Sequence, residues 1–253
     1  MVARSIFVTW PMEAEARAIL ERVGSVRASH TEHELPVAEL ARLVADVEAI
    51  IPMGAHSIPE AILTAAPRLR IVAVAAVGYN IVDVAAATGR GILVTNTPGV
   101  LTETTADMAW AERSVGAEYR TKAELLREAD FVVLSIPLSS ETRHLIGAAE
   151  LALMKPTAFL VNVARGPVVD EAALAEALRS GRIAGAGLDV FEEEPKVHPG
   201  LLGLENLALT PHIGSASRAT RLKMATRAAE NCVAALEGHR PPDLVNPEAW
   251  RSA

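Results

Sequence analysis

Short apolar runs recur along the whole chain, and each stops at a glycine, a proline or a polar residue. They are Ile6-Phe7-Val8-Thr9-Trp10, Ala49-Ile50-Ile51, Ile71-Val72-Ala73-Val74, Ile92-Leu93-Val94-Thr95, Phe131-Val132-Val133-Leu134-Ser135, Ala158 to Val161, Gly185 to Phe191 and Leu207-Ala208-Leu209-Thr210. Helical patterns lie between them: Pro11 leads a helix through Arg22, Asp170 opens an Ala/Leu/Glu-rich helix through Leu178, and Ser217 to Leu236 reads as a long one. Runs apolar at every position belong to strands covered on both faces. Strands alternating with helices predict a parallel α/β fold.

A chain of 253 residues, half of them hydrophobic, can build one large or two modest domains with buried cores. The net charge of −7 gives no electrostatic case for nucleic acid or an anionic membrane. The basic cluster Arg218, Arg221, Lys223 and Arg227 falls on the last predicted helix and reads as a solvated face. The single cysteine, Cys232, excludes an intrachain disulfide and lies in the apolar pattern of that helix, as a buried structural thiol would. Met1 to Trp10 lacks the apolar core of a signal peptide, and the run from Ile71 to Val77 is far too short to span a bilayer. A cytoplasmic protein without metal is the expectation.

Three successive strands end in chemistry. The run to Val161 leads to Arg165, Gly185 to Phe191 carries Asp189 and leads to Glu194-Pro195, and Leu207 to Thr210 leads to His212. In open parallel sheets ligands bind beyond the carboxyl ends of the strands, so these residues can meet despite their separation in sequence. An arginine offers a planar fork to a carboxylate. A histidine titrates near neutrality and can give or take a proton, and a carboxylate on its other ring nitrogen fixes the tautomer. Singly, each residue also reads as an ion pair, an acidic turn or loop packing. Their shared place past strand ends favours an acid–base site for an anionic carbonyl compound.

Asn162-Val163-Ala164-Arg165-Gly166, Asp189-Val190-Phe191 with Glu194-Pro195, and Thr210-Pro211-His212-Ile213-Gly214 resemble the signatures of the D-isomer-specific 2-hydroxyacid dehydrogenases, closest to the glyoxylate and hydroxypyruvate reductase branch. Ala76-Val77-Gly78-Tyr79, Thr95 to Thr102 and Pro241 to Pro247 match as well, so the resemblance covers nearly the whole chain. It implies a flavodoxin-like, discontinuous substrate domain at 1–98 and 213–253, and a truncated Rossmann-like, doubly wound dinucleotide domain at 99–212. It implies a hydride passing between NAD or NADP and a small 2-oxoacid or 2-hydroxyacid. His212 would protonate the oxygen, Glu194 would hold His212 charged, Arg165 would bind the carboxylate, and Asp189 would contact the nicotinamide amide. Thr105, Pro137, Val163, Ala164, Gly214 and Ser215 would border the cofactor. Val77 and Gly78 would meet the substrate carboxylate; without the resemblance, Gly78 reads equally as an ordinary strand-to-turn glycine. Trp10 and Met53 could line the same pocket or pack in a core. A homodimer is the expected assembly if the chain associates at all.

One element of such an enzyme is not found. Dinucleotide sites carry G-x-G-x-x-G between a strand and a helix, whereas Gly185-Ala186-Gly187 leads into a strand pattern with no third glycine. Against the family's pattern, Trp110 runs directly into Ala111, and about seventy residues are absent there, more than the ~30-residue unit that holds the fingerprint. The missing strands would be central, so their neighbours must close up or leave backbone unpaired. Two further readings follow: a catalytically impaired or inactive deletion remnant that binds cofactor weakly or not at all, and a phosphoglycerate dehydrogenase relative, against which stands the lack of a regulatory domain after Pro247.

Overall fold

The computed structural model describes residues 4–31, 34–53, 56–98, 116, 118–214 and 216–251. They fall into two compact units, one of residues before 99 and from 217 on, the other of residues from 116 to 216.

The first unit holds β1 (Arg4–Val8), β2 (Gly24–Ala28), β3 (Ala49–Ile51), β4 (Ile71–Ala73) and β5 (Leu93–Thr95). All pair in parallel, in the order β2-β1-β3-β4-β5, the flavodoxin-like arrangement. The chain moves one way from β1 to β2 and the other way from β1 to β5. With right-handed crossovers that reversal places helices on both faces. Residues that alternate along a strand therefore enter different cores: Ile6 and Val8 meet Leu20, Ala225, Ala228 and Cys232, whereas Phe7 meets Leu40, Ile62 and Leu63. The helix Arg218–Glu237 returns to this sheet, with Ser217 accepting the Thr220 N–H as its N-cap. Its last carbonyls, Ala235 O and Leu236 O, accept from the Arg70 guanidinium at 3.1 and 3.2 Å. Cys232 is fully buried, and burial pushes its thiol up to about 12, out of reach of nucleophilic work.

The free edge of β5 is covered by the chain end. Leu244 bridges Thr95 in antiparallel sense, and Val245 N donates to Val94 O at 2.8 Å. The buried Asn246 accepts the Val94 N–H at 2.8 Å and donates to Ile92 O at 3.0 Å. β2 was not among the expected strands. Gly-Ser-Val-Arg-Ala is half-polar because it is an edge strand, with none of its residues buried.

The second unit holds β6 (Phe131–Leu134), β7 (Phe159–Asn162), β8 (Gly185–Leu188) and β9 (Leu207–Leu209), again all parallel. Their order in space is their order in sequence. Because the order never reverses, right-handed crossovers send the helices between its strands to one face, and the described helix before β6 packs on that face too. Leu126, Leu151, Leu174 and Leu178 from the helices Lys122–Glu128, Ala148–Leu151 and Glu171–Arg179 pack there against Val132, Leu134, Leu160 and Leu188. The opposite face is bare: Phe131 is 68% exposed, Val133 48% and Phe159 40%. The rings of Phe131 and Phe159 stack on each other with centroids 5.4 Å apart. A Cβ on Gly185 would come within 2.8 Å of the Phe159 ring and of Asn206 O. The strand glycine therefore serves close packing, not a phosphate. β6 is an edge strand, and among the described residues no strand pairs its outer side. The α/β class with parallel sheets is the one the sequence pattern implies.

Candidate active site

Because the strands of the second unit are parallel, the loops after β6, β7, β8 and β9 all leave the same edge of the sheet. After β7 the loop is tied by Asn162, which is buried. Its Oδ1 accepts the Ala164 N–H and its Nδ2 donates to Arg165 O, both at 3.0 Å. Both ends of a buried amide are thus satisfied, and Val163 to Arg165 are held. Val163 is half-exposed and Ala164 buried. The Arg165 guanidinium donates to Ala164 O at 2.7 Å and makes no ion pair with a described residue. Gly166 brings this loop against the next: a Cβ there would lie 1.9 Å from Phe191 C and O. No other residue fits without moving one backbone off the other.

After β8, Glu194 is fixed twice. Its Oε1 accepts the Phe191 N–H at 3.1 Å, and its Oε2 lies 2.8 Å from His212 Nδ1, the residue just past β9. An ionised carboxylate only accepts. Nδ1 therefore carries the hydrogen, and Nε2 is the nitrogen free to hold or release a proton. His212 has φ +53°, and its side chain is 44% exposed.

Asp189 is buried and accepts three hydrogen bonds from its own chain. Oδ1 accepts from Thr210 Oγ1 at 2.5 Å and from Ile213 N at 2.9 Å, and Oδ2 accepts from Gly214 N at 2.8 Å. Burial raises its carboxyl, but the Thr210 hydroxyl, the two amides and the nearby His212 outweigh that and hold it below the ordinary carboxylate value. After β6, Pro137 is exposed, and its carbonyl accepts from Thr142 Oγ1 at 2.8 Å.

The structure therefore joins His212 to Glu194 and Gly214 to Asp189, and sets Val163, Ala164, Arg165 and Pro137 on the same sheet edge. Val77 and Gly78 belong to the first unit, in the loop after β4, where Val77 O accepts from Asn96 Nδ2 at 2.8 Å. Trp10 is buried in the core of that unit, with Met53 packed against the same cluster. Thr105, Ser215 and the junction of Trp110 with Ala111 lie outside the described residues. Sequence reading missed the clamping by Asn162 and Thr210, although a polar side chain closing an apolar strand run is the signal for it. It also missed Glu171, a carboxylate 3% exposed that accepts the Glu192 N–H at 2.9 Å. Of the other histidines in this unit, His144 pairs with Glu192, and His198 Nδ1 accepts from Gly200 N.

The family model described as D-isomer specific 2-hydroxyacid dehydrogenase, NAD binding domain, matches residues 55–214. The chain belongs to the D-isomer-specific 2-hydroxyacid dehydrogenases. Within curated members it is 39% identical to a glyoxylate reductase of Pyrococcus furiosus, covering 96% of this chain and 95% of that one. It is 41% identical to a glyoxylate reductase of Korarchaeum cryptofilum, covering 81% and 84%. Among solved structures of similar fold, a protein of Thermus thermophilus superposes with TM-score 0.84 at 35% identity, covering 95% of this chain and 99% of that one. An NADPH-dependent glyoxylate/hydroxypyruvate reductase of Sinorhizobium meliloti, in complex with NADP and malonate, superposes with TM-score 0.82 at 28% identity, covering 99% of both chains. The alignment with the Pyrococcus relative runs over 320 positions against the 253 residues of this chain, so at least 67 of them (320 less 253) face no residue here.

A family member of this kind works with NAD or NADP. The reactive end of such a cofactor fits the described residues: an arginine with no ion pair among them, a backbone loop tied by Asn162, and a carboxylate-held histidine share one sheet edge. The pyrophosphate end finds no glycine-rich strand-to-helix turn among them, since Gly185 and Gly187 lie inside β8.

Proposed function

We propose that this chain reduces a small 2-oxoacid, glyoxylate or hydroxypyruvate, with NADH or NADPH, and that the second unit carries the reacting groups. The observation that carries the reading is the His212–Glu194 pair at 2.8 Å on the sheet edge that also carries Arg165, which has no carboxylate of its own among the described residues. When bound, the reduced nicotinamide supplies a hydride to the carbonyl carbon. His212, protonated on both nitrogens, gives the Nε2 proton to the carbonyl oxygen, and the Glu194 carboxylate steadies the charged ring through Nδ1. Arg165 turns its fork to the substrate carboxylate and orients the carbonyl. Val163, Ala164, Gly214 and Pro137 border the nicotinamide and ribose, with Thr105 and Ser215 as further contacts. The similarity to curated glyoxylate reductases over nearly the full chain favours this reading over an inactive remnant.

The test is NADH- and NADPH-dependent loss of absorbance with glyoxylate and hydroxypyruvate, each cofactor raised to saturation. His212→Ala should lower kcat by about 10²- to 10⁴-fold, the usual worth of an acid–base group. His239→Ala, at a side chain 73% exposed, should leave it unchanged. Arg165→Lys keeps the charge, loses the fork and should raise the KM for the oxoacid with little change in melting temperature. Equal losses in the two histidine variants would remove His212 from the chemistry.

A further inference from the structure

The loop that carries His212 has little to hold it. Pro211, His212, Ile213 and Gly214 are all exposed and belong to no strand or helix. The chain turns tightly, with His212 N donating to Thr210 O at 3.1 Å, and His212 itself sits at φ +53°. That left-handed conformation is costly for a residue with a Cβ, so something outside the turn must stabilise it. Glu194 holds only the ring. The main chain beyond the histidine is held by Asp189, which accepts the N–H groups of Ile213 and Gly214 on different oxygens, while its Oδ1 also accepts the Thr210 hydroxyl on the near side. One buried carboxylate thus grips the turn before and after His212.

We propose that Asp189 is a positioning residue for His212, and that Thr210 shares this duty. A carboxylate offers about four acceptor sites, and the loop fills three of them. Asp189 is only 7% exposed, so the loop it grips covers most of it. Its role is to keep Nδ1 on Glu194 and so to fix where Nε2 points. This duty is separate from the contact with the nicotinamide amide that the resemblance implies, for which one acceptor site remains. The inference rests on His212 as the acid–base group.

The experiment uses the full chain labelled with nitrogen-15, as wild type, Asp189→Asn and Thr210→Val. An asparagine turns a donor toward the Gly214 N–H, so amide exchange at Gly214 should speed up by about tenfold or more, as for a lost buried acceptor. The His212 ring nitrogens should lose the signature of a single Nδ1–H bonded tautomer. Titration of NADH and NADPH should give dissociation constants within about twofold of wild type. Turnover should drop about 10²-fold in kcat, the cost of a reacting group misplaced by about 1 Å. Thr210→Val removes one donor without changing charge and should move the same signals in the same direction by less; it decides the matter if Asp189→Asn does not fold. Unchanged His212 ring signals in both variants would overturn the proposal, as would a tenfold loss of cofactor affinity with the loop amides intact. The nitrogen signals need no turnover. If His212→Ala proves fully active, the functional reading fails while the ring and amide shifts still report on Asp189.

Discussion

The two sheets are built from the same kind of strand and end up differently dressed. In the first unit, strand order reverses about β1, helices cover both faces, and the chain end closes the β5 edge through Leu244 to Asn246. In the second, strand order follows the sequence, helices cover one face, and Phe131, Val133 and Phe159 face outward beside a β6 edge that no described strand pairs. Apolar composition alone does not bury a strand. A sheet is covered on both sides only if its topology reverses, because crossovers of one hand travelling in one direction return every helix to the same side. The buried polar groups differ as well. Among the described residues, those of the first unit are hydroxyls, amides and His56, whereas both buried carboxylates, Glu171 and Asp189, lie in the second.

The largest effect that would change this contrast comes from inserting, between Trp110 and Ala111, the segment that the Pyrococcus furiosus relative carries and this chain lacks. It should bring a glycine-rich turn whose amides meet pyrophosphate at a helix N-terminus. Calorimetry should show dinucleotide affinity rising by about a hundredfold, worth about 2.7 kcal/mol, with the Phe131 and Phe159 rings losing their exposure to solvent quencher. Unchanged affinity would mean that the native chain already holds the phosphates by other groups.

A smaller effect separates the two faces of the second sheet. Leu160→Ala, on the helix-covered face, should cost about 2–5 kcal/mol in denaturant unfolding. Phe131→Ser, one strand away on the bare face, should stay within about 0.5 kcal/mol, as exposed substitutions do, and should improve solubility. Comparable losses would show that something covers Phe131 in solution.

The smallest effect concerns Glu171. Burial, more than the neighbouring Glu192, raises its carboxyl above the ordinary value of 4.5, although the Glu192 and His198 amides oppose the shift. A carboxyl raised on folding favours its protonated form in the folded state, so stability increases as pH falls through the folded value and levels off below about 4.5. Glu171→Gln should therefore raise the melting temperature at neutral pH, and its advantage should shrink to nothing in acid. A lower melting temperature at pH 7 would show that the Glu192 N–H needs an ionised acceptor.

Part of this was legible in the residues. β1, β3, β4 and β5 announced themselves because strands covered on both faces are apolar at each position, while β2 did not, its edge place leaving Ser25 and Arg27 in solvent. Arg165, Glu194 and His212 could be named because each follows an apolar run by a few residues, and parallel strands put such ends on one edge. The bare face was not legible. Phe131, Val133 and Phe159 look like core, and nothing local tells that no described helix packs on their side of the sheet.

The sequence by itself determined the parallel α/β class, the succession of strands and helices, and the chemistry stored at the strand ends, since all of these are written in patterns a few residues long. Tertiary structure alone decided the order of the strands, which face of the second sheet is covered, and what Asp189 holds. The reason is distance along the chain. The groups that fill Asp189 sit 21 to 25 residues away from it, and they come within bonding range only because β8 and β9 lie side by side.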